Sequence, residues 1–163
     1  MPTVLLNKLE FDEEIVKMIT LQPVTKDNYN ECLGLKREKT DFVGDAYAVL
    51  ADAYIYRDTS LAYAIYLDEN AIGLVILDEC GKNKSYEFTD LFIADDYRNK
   101  GYGEGVVKTI INHFILKSAK SIQMQVHKSN KVAIHIYQKC GFSINKVSPW
   151  DDDFWIMEMI VDR

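Results

Sequence analysis

The sequence predicts an α/β fold: a mixed, mostly antiparallel twisted sheet of about seven strands with helices on both faces. Three observations predict it. Leu61–Leu67 and Ala71–Leu77 are β-rich runs separated by Asp68-Glu69-Asn70, the composition of a hairpin turn, so they pair antiparallel. A strand-helix-strand-helix succession then runs from Tyr86 to Tyr137, and a closing pair of strands, Phe142–Val147 and Phe154–Val161, flanks Ser148-Pro149-Trp150-Asp151-Asp152-Asp153.

Met18–Leu21 is a short apolar strand, preceded by a segment over Phe11–Val16 with helical spacing and no readable role. Thr25-Lys26-Asp27 supplies capping-type residues for a helix over Asn28–Lys36, and Arg37–Asp41 is a charged connection. Residues 45–56 carry Ala46, Val49, Leu50, Ala53 and Tyr54 at spacings of three and four, an amphipathic helix. After the hairpin, Cys80-Gly81-Lys82-Asn83 turns the chain into the strand Tyr86–Ile93. A long helix follows with Val107, Ile110, Ile111 and Phe114 on one face, then the strand Ser121–His127 and a helix opening near Asn130.

At 163 residues with no repeat, low-complexity tract or linker, the chain reads as one domain, 1–163. An apolar share of 48% against 27% charged residues excludes global disorder. No apolar run approaches the length of a membrane span, and Lys8, Glu10, Asp12, Glu13 and Glu14 leave no secretory h-region, so the expected compartment is the cytoplasm. Cys32, Cys80 and Cys140 suit reduced thiols, and the scattered His113, His127 and His135 imply no metal. A net charge of -6 disfavours nucleic acid as partner and suits a cationic substrate, though it equally serves solubility.

The chemistry concentrates in two segments. Arg98-Asn99-Lys100-Gly101-Tyr102-Gly103-Glu104 lies between the apolar Leu91-Phe92-Ile93 and the long helix, at a strand-to-helix turn. Unpaired N–H groups and the positive end of the dipole lie there, and glycines let a phosphate come close to the backbone. The spacing of Gly101, Gly103 and Gly105 is not a dinucleotide fingerprint, and no P-loop Lys-Ser/Thr pair is present. The second segment runs from Asn130 through Ala133 and Tyr137 to Gly141-Phe142; Asn130 and Tyr137, seven apart, share a helix face.

These residues resemble the two signatures of the GNAT superfamily of acetyl-CoA-dependent N-acetyltransferases. Arg98-x-x-Gly101-x-Gly103 matches Arg/Gln-x-x-Gly-x-Gly/Ala, and Asn130-x-x-Ala133-x-x-x-Tyr137-x-x-x-Gly141-Phe142 matches the second. The resemblance implies acetyl-CoA as co-substrate, no metal, and acetyl transfer to a primary amine in a ternary complex. It further implies that residues 98–104 cradle the pyrophosphate and that the backbone of Leu91, Phe92 and Ile93 binds pantetheine. Asn130 then bonds the pantetheine arm or serves as a plain N-cap, with Ala133 beside it.

Such a reaction needs a base, because an alkylamine with a pKa near 10 is almost wholly protonated at neutral pH. Glu87, 11 residues before Arg98, holds the position where several GNAT members carry their base; Asp90 and an ordered water are the alternatives. Tyr137 is the candidate acid for the departing thiolate, since a phenol near 10 can protonate a thiol near 8.5. Cys140 reads as a helix-end residue and not as a nucleophile.

A looser likeness to bacterial spermine/spermidine acetyltransferases runs through Asp41-Phe42-Val43, the helix around Asp52 and Tyr54, and Ala64-Ile65-Tyr66. Glu31, Asp41, Asp52, Glu87, Asp90 and Asp151–Asp153 are candidate carboxylates for a polycation, with Tyr54 and Tyr66 along its methylenes; the triple aspartate equally reads as a solvated hairpin loop. The acceptor is thus a small-molecule amine, a polyamine first. A protein N-terminus or lysine, an amino acid, an aminoglycoside, or a non-catalytic acyl-CoA-binding role are the alternatives. Homodimers are common in the family, but no interface is readable.

Overall fold

The computed structural model describes residues 13–161 other than Lys39 and Asp41. Lys8, Glu10, Phe11, Asp12 and Asp41 from the reading above lie outside the described residues. One seven-stranded sheet runs β1-β2-β3-β4-β5-β7-β6 in space. Its strands are β1 Ile19–Pro23, β2 Ser60–Leu67, β3 Asn70–Asp78, β4 Ser85–Ile93, β5 Ser121–His127, β6 Ser143–Val147 and β7 Phe154–Ile160. Every neighbouring pair is antiparallel except β4 and β5. The fold is therefore the mixed, mostly antiparallel sheet that the strand pattern predicts.

Helices cover both faces. On one side lie α1 (residues 13–18), α4 (Tyr102–Leu116) and α5 (Lys131–Lys139), packed on Ile65, Ile72, Phe88, Ile122 and Met157. On the other, α2 (Tyr29–Leu33) and α3 (Ala46–Ile55) set Cys32, Ala46, Val49 and Ala53 on Ala64, Leu74 and Phe92. The segment before Met18, without a readable role in the sequence, gains one here. Ile15 is buried, and a Cβ at Gly105 would lie 2.7 Å from its Cγ2, so the glycine of α4 is what admits α1.

Asp45 caps α3 by accepting a hydrogen bond from the Ala48 N–H at 3.0 Å. The helix expected to reach Lys36 stops at Leu33. Gly34, a weak helix former, is its C-cap, and beyond it the Lys36 carbonyl accepts from the Asp95 N–H at 3.0 Å.

Two irregularities on β4 position the site. Parallel pairing with β5 covers only Ser85↔Ser121, Tyr86↔Ile122 and Glu87↔Gln123; beyond it β4 stays with β3 and β5 stays with β7, so the sheet splits open. The pairing of β4 with β3 also slips by one residue, between Ile76↔Thr89 and Leu74↔Phe92. One extra residue is accommodated there as a bulge, with Asp90 at φ 53°. Because side chains alternate along a strand, the extra residue exchanges the faces. Tyr86 and Phe88 join the α4/α5 core before it, Leu91 and Ile93 after it, and Phe92 turns to the α2/α3 core. Gly73 permits this, since a Cβ there would lie 2.2 Å from the Phe92 carbonyl oxygen.

Candidate active site

The split between β4 and β5 holds a cavity of about 80 Å³. Thr89, Asp90 and Leu91 of β4 line one wall, Gln125 and His127 of β5 the other, and Asn130, Ala133 and Tyr137 of α5 one mouth. Phe42, Val43 and Phe154 close the opposite mouth, where His127 sits between the rings of Phe42 and Phe154 at 5.3 and 5.1 Å. Of the residues singled out from sequence, Asp90, Leu91, Asn130, Ala133 and Tyr137 converge on this one space. Phe42 enters the sequence reading only within the Asp41-Phe42-Val43 likeness, and Gln125, His127 and Phe154 are not among its site residues. Their only signal is tertiary: each reaches the cavity because two parallel strands part.

Tyr137 is both a core aromatic and a cavity residue. Its ring meets Phe88 at 5.9 Å and Phe142 at 6.1 Å, edge to face, and the side chain is 8% exposed. Burial holds its phenol above the ordinary tyrosine range, with the Cys140 charge a smaller cause, so the hydroxyl keeps its proton at physiological pH. Asn130 caps α5, its side-chain oxygen accepting from the Ala133 N–H at 3.3 Å; the amide N–H groups remain as the donors it offers a ligand.

Asp90 projects from the bulge towards Asp52 of α3. Burial, then the Asp52 charge and a hydrogen bond to it, push the Asp90 carboxyl up to about 6. Glu87 sits at the last position of β4 paired with β5, outside the cavity lining. Burial and Asp78 raise its carboxyl, and a hydrogen bond from Gln125 opposes them. Gln125 is itself fixed, accepting from the Ser148 hydroxyl at 2.7 Å.

The strand-to-helix turn follows β4. Gly101, at φ 84°, is the N-cap of α4, and no side chain caps the helix, so the first-turn N–H groups face outward. Asn99 is also left-handed at φ 58°. Arg98 and Asn99 line an open hollow with Glu38, Asp95 and Asp96, and Lys100 is exposed above the Tyr97 ring. Tyr102 packs near Tyr97, their ring centres 6.5 Å apart. At Gly103 a Cβ would lie 3.1 Å from Ile136 Cδ1, so this glycine serves the contact of α4 with α5. The Glu104 side chain turns inward to Lys108 at 3.1 Å and Lys139 at 2.9 Å, leaving its backbone N–H as the group it can offer an anion. An uncapped helix start with a left-handed glycine fits a pyrophosphate.

Several candidate carboxylates lie elsewhere. Glu31 is committed to the fold: it accepts from the Tyr66 hydroxyl at 3.0 Å and the Ala71 N–H at 2.9 Å, and Tyr66 is buried under it. Tyr54 is exposed and covered by the Arg57 guanidinium at 4.2 Å. Asp151–Asp153 form the exposed β6–β7 turn, where the Asp151 side chain accepts from the Asp153 N–H at 2.9 Å. Cys140 is the C-cap of α5, its Sγ near the Glu104 carbonyl at 3.9 Å. Among the described residues no helix is long and apolar enough to cross a membrane, and no group of His, Cys, Asp and Glu side chains could hold a metal ion.

Comparison with known proteins adds independent findings. The acetyltransferase (GNAT) family model matches residues 30–142, more than half of the chain. The spermine/spermidine N(1)-acetyltransferase of Bacillus subtilis (strain 168) is 27% identical over 139 residues, covering 78% of this chain and 89% of that protein. Spermidine N-acetyltransferase from Vibrio cholerae, solved with CoA and spermine, superposes with a TM-score of 0.69 at 19% identity, over 88% of this chain and 96% of that one. AAC(6')-Ib, solved with ribostamycin and coenzyme A, superposes at 0.70 with 21% identity, over 87% and 93%.

Proposed function

The chain belongs to the acetyltransferase (GNAT) family, whose members move an acetyl group from acetyl-CoA to an amine, and we propose that its acceptor is a polyamine of the spermidine or spermine kind. The observation that carries the reading is the meeting of Asp90 and Tyr137 in one cavity, between residues of both faces of the sheet. The donor enters beside Asn130 and Tyr137, its pyrophosphate at the start of α4, with Arg98, Asn99, Lys100, Gly101, Tyr102, Gly103 and Glu104 as the cradle. Leu91, Phe92 and Ile93 offer it backbone groups where β4 has lost β5. The thioester supplies an activated acetyl carbon; the protein supplies proton transfer and orientation.

The acceptor enters from the α2/α3 face, where Asp52 and Asp90 present paired negative charge. Asp90 takes the proton of the reacting ammonium. Its carboxyl is balanced near neutrality, the condition in which a base is both ionised and basic enough to act. Glu87 is the alternative base; its place outside the cavity lining and its bond from Gln125 favour Asp90. The neutral amine then attacks the carbonyl carbon, the C–S bond breaks as the Tyr137 hydroxyl gives its proton to the sulfur, and the second proton, shed by the acylated nitrogen, passes through solvent to restore the Tyr137 phenol.

Two further points support a polycation. The overall charge of -6 attracts one at long range, and the Bacillus subtilis relative is named for spermine and spermidine. Aminoglycosides are the second reading, favoured by the likeness to AAC(6')-Ib, and they are polycations too. The test is CoA thiol release from acetyl-CoA with spermine, spermidine, an aminoglycoside, amino acids or a lysine peptide as sole acceptor. Turnover confined to the polyamines is the expected result. Turnover confined to another class would overturn the assignment.

A further inference from the structure

Between α2 and α3, Phe42 and Val43 line the cavity, and the backbone at Lys36 and Glu38 is held from beyond β4. Asp95, two residues beyond β4, makes contacts in two directions. Its backbone N–H donates to the Lys36 carbonyl at 3.0 Å and its Oδ2 accepts from the Glu38 N–H at 2.7 Å, so it grips the backbone on both sides of Arg37. Its Oδ1 faces Arg98 of the cofactor turn at 3.8 Å.

Arg37, so held, is half-buried with its guanidinium 4.8 Å from the centre of the Phe92 ring, and its Nη2 donates to the Val43 carbonyl at 2.9 Å. Its Nε is buried with no hydrogen-bond partner among the described residues. A half-buried cation with an unmet donor costs stability unless something holds it there. Burial, then the neighbouring Arg98, lower the guanidinium from the ordinary arginine value, and Asp95 opposes them in smaller measure. Val43, whose carbonyl Arg37 holds, lines the cavity, and Phe42 precedes it in the lining.

We propose that Asp95 and Arg37 are positioning residues for the acceptor: Asp95 fastens Lys36 and Glu38, Arg37 carries that constraint to Val43 and Phe42, and these shape the mouth through which the amine arrives. Neither touches the reacting atoms. The unit rests on the acetyl transfer proposed above but not on any one acceptor.

The experiment compares wild type with Asp95→Ala, Asp95→Asn, Arg37→Ala and the double variant Asp95→Ala/Arg37→Ala, using whichever amine the wild-type enzyme turns over best. Acceptor KM and kcat are read from initial rates, and the CoA dissociation constant from calorimetry. Protection of the Glu38 amide is followed by hydrogen exchange, which needs no activity. The expected result is an acceptor KM raised roughly five- to tenfold in both alanine variants, with kcat and CoA affinity within about twofold. The double variant should be no worse than the worse single one, since the two act in series. Asp95→Asn, which keeps an oxygen for the Glu38 N–H, should restore both the amide protection and most of the acceptor KM.

An unchanged acceptor KM in both alanine variants would overturn the proposal. So would a CoA dissociation constant that rises in step with acceptor KM, because Asp95 would then act through Arg98 alone. Failure of polyamines as acceptors would sink the substrate assignment and leave this test standing with another amine.

Discussion

Replacing Asp52 by asparagine removes one of the two carboxyls that meet on the acceptor face, and the structure fixes the direction of three consequences. Asp90 stands at about 6 against an ordinary 3.8, with burial the largest cause and Asp52 the next. Asparagine keeps the burial, removes the like charge, and can donate to the Asp90 carboxylate, so the Asp90 carboxyl should fall by about one unit. If Asp90 is the base, the acid limb of kcat/KM then moves from about pH 6 to about pH 5. Stability follows with the opposite preference. A native carboxyl raised above its unfolded value binds more protons than the unfolded chain between about pH 4 and 6, so stability is greatest below that window and is lost as pH rises through it. At face value the shift amounts to about 3 kcal/mol at 1.36 per unit, but the site keeps solvent access, and about 1 kcal/mol is the expected gain from Asp52→Asn at pH 7. Urea melts of both proteins at pH 7 and pH 4 should show that gain at pH 7 and little of it at pH 4. KM for a polycationic acceptor should rise at the same time. An acid limb that stays where it was would refute the coupling of Asp52 to the catalytic base.

Three more substitutions separate roles that one site could confuse. Tyr137→Phe should keep the edge-to-face packing with Phe88 and Phe142 while lowering kcat by about a hundredfold, with the KM for acetyl-CoA little changed; an unaltered kcat returns Tyr137 to the core alone. Asp90→Asn should abolish the acid limb and leave a rate that climbs with pH as solvent takes over amine deprotonation, whereas Glu87→Gln should keep the limb; the reverse pattern makes Glu87 the base. Gly101→Ala puts a Cβ on a residue at φ 84°, which costs about 1–2 kcal/mol and tilts the start of α4. Its CoA dissociation constant should rise about tenfold or more, and calorimetry showing normal affinity would remove the cradle from residues 98–104.

What could be read in advance divides by the range of the interactions involved. The strand β5 is legible to the residue because Ile122, Met124 and Val126 alternate with polar neighbours against one core. The turn at Gly101 and the face shared by Asn130 and Tyr137 are legible because both are local backbone geometry. Helix α2 ends at Leu33 and not at Lys36 because Gly34, a weak helix former, stands inside the expected span, while the hold of Asp95 on the Lys36 carbonyl, 59 positions on, has no local signal. Glu31 illustrates the same limit. An exposed-looking carboxylate beside a tyrosine pattern suits a cation, and only the fold reveals that Tyr66 and Ala71 consume both of its oxygens.

The bulge on β4 shows why the acceptor side resists reading most. A period-2 pattern run straight through Tyr86–Ile93 puts Asp90 with Tyr86 and Phe88, on the α4/α5 side. The extra residue reverses that assignment for everything after Thr89, turning Asp90 to Asp52 and Leu91 to the cavity in one step. The bulge depends in turn on Gly73, on the neighbouring strand, whose missing Cβ lets the Phe92 carbonyl approach. A side chain at Gly73 would press on that carbonyl, disturb the bulge, and move a carboxylate away from the reacting amine without touching any residue of the cleft. The placement of the proposed base therefore depends partly on a glycine 17 residues upstream of it.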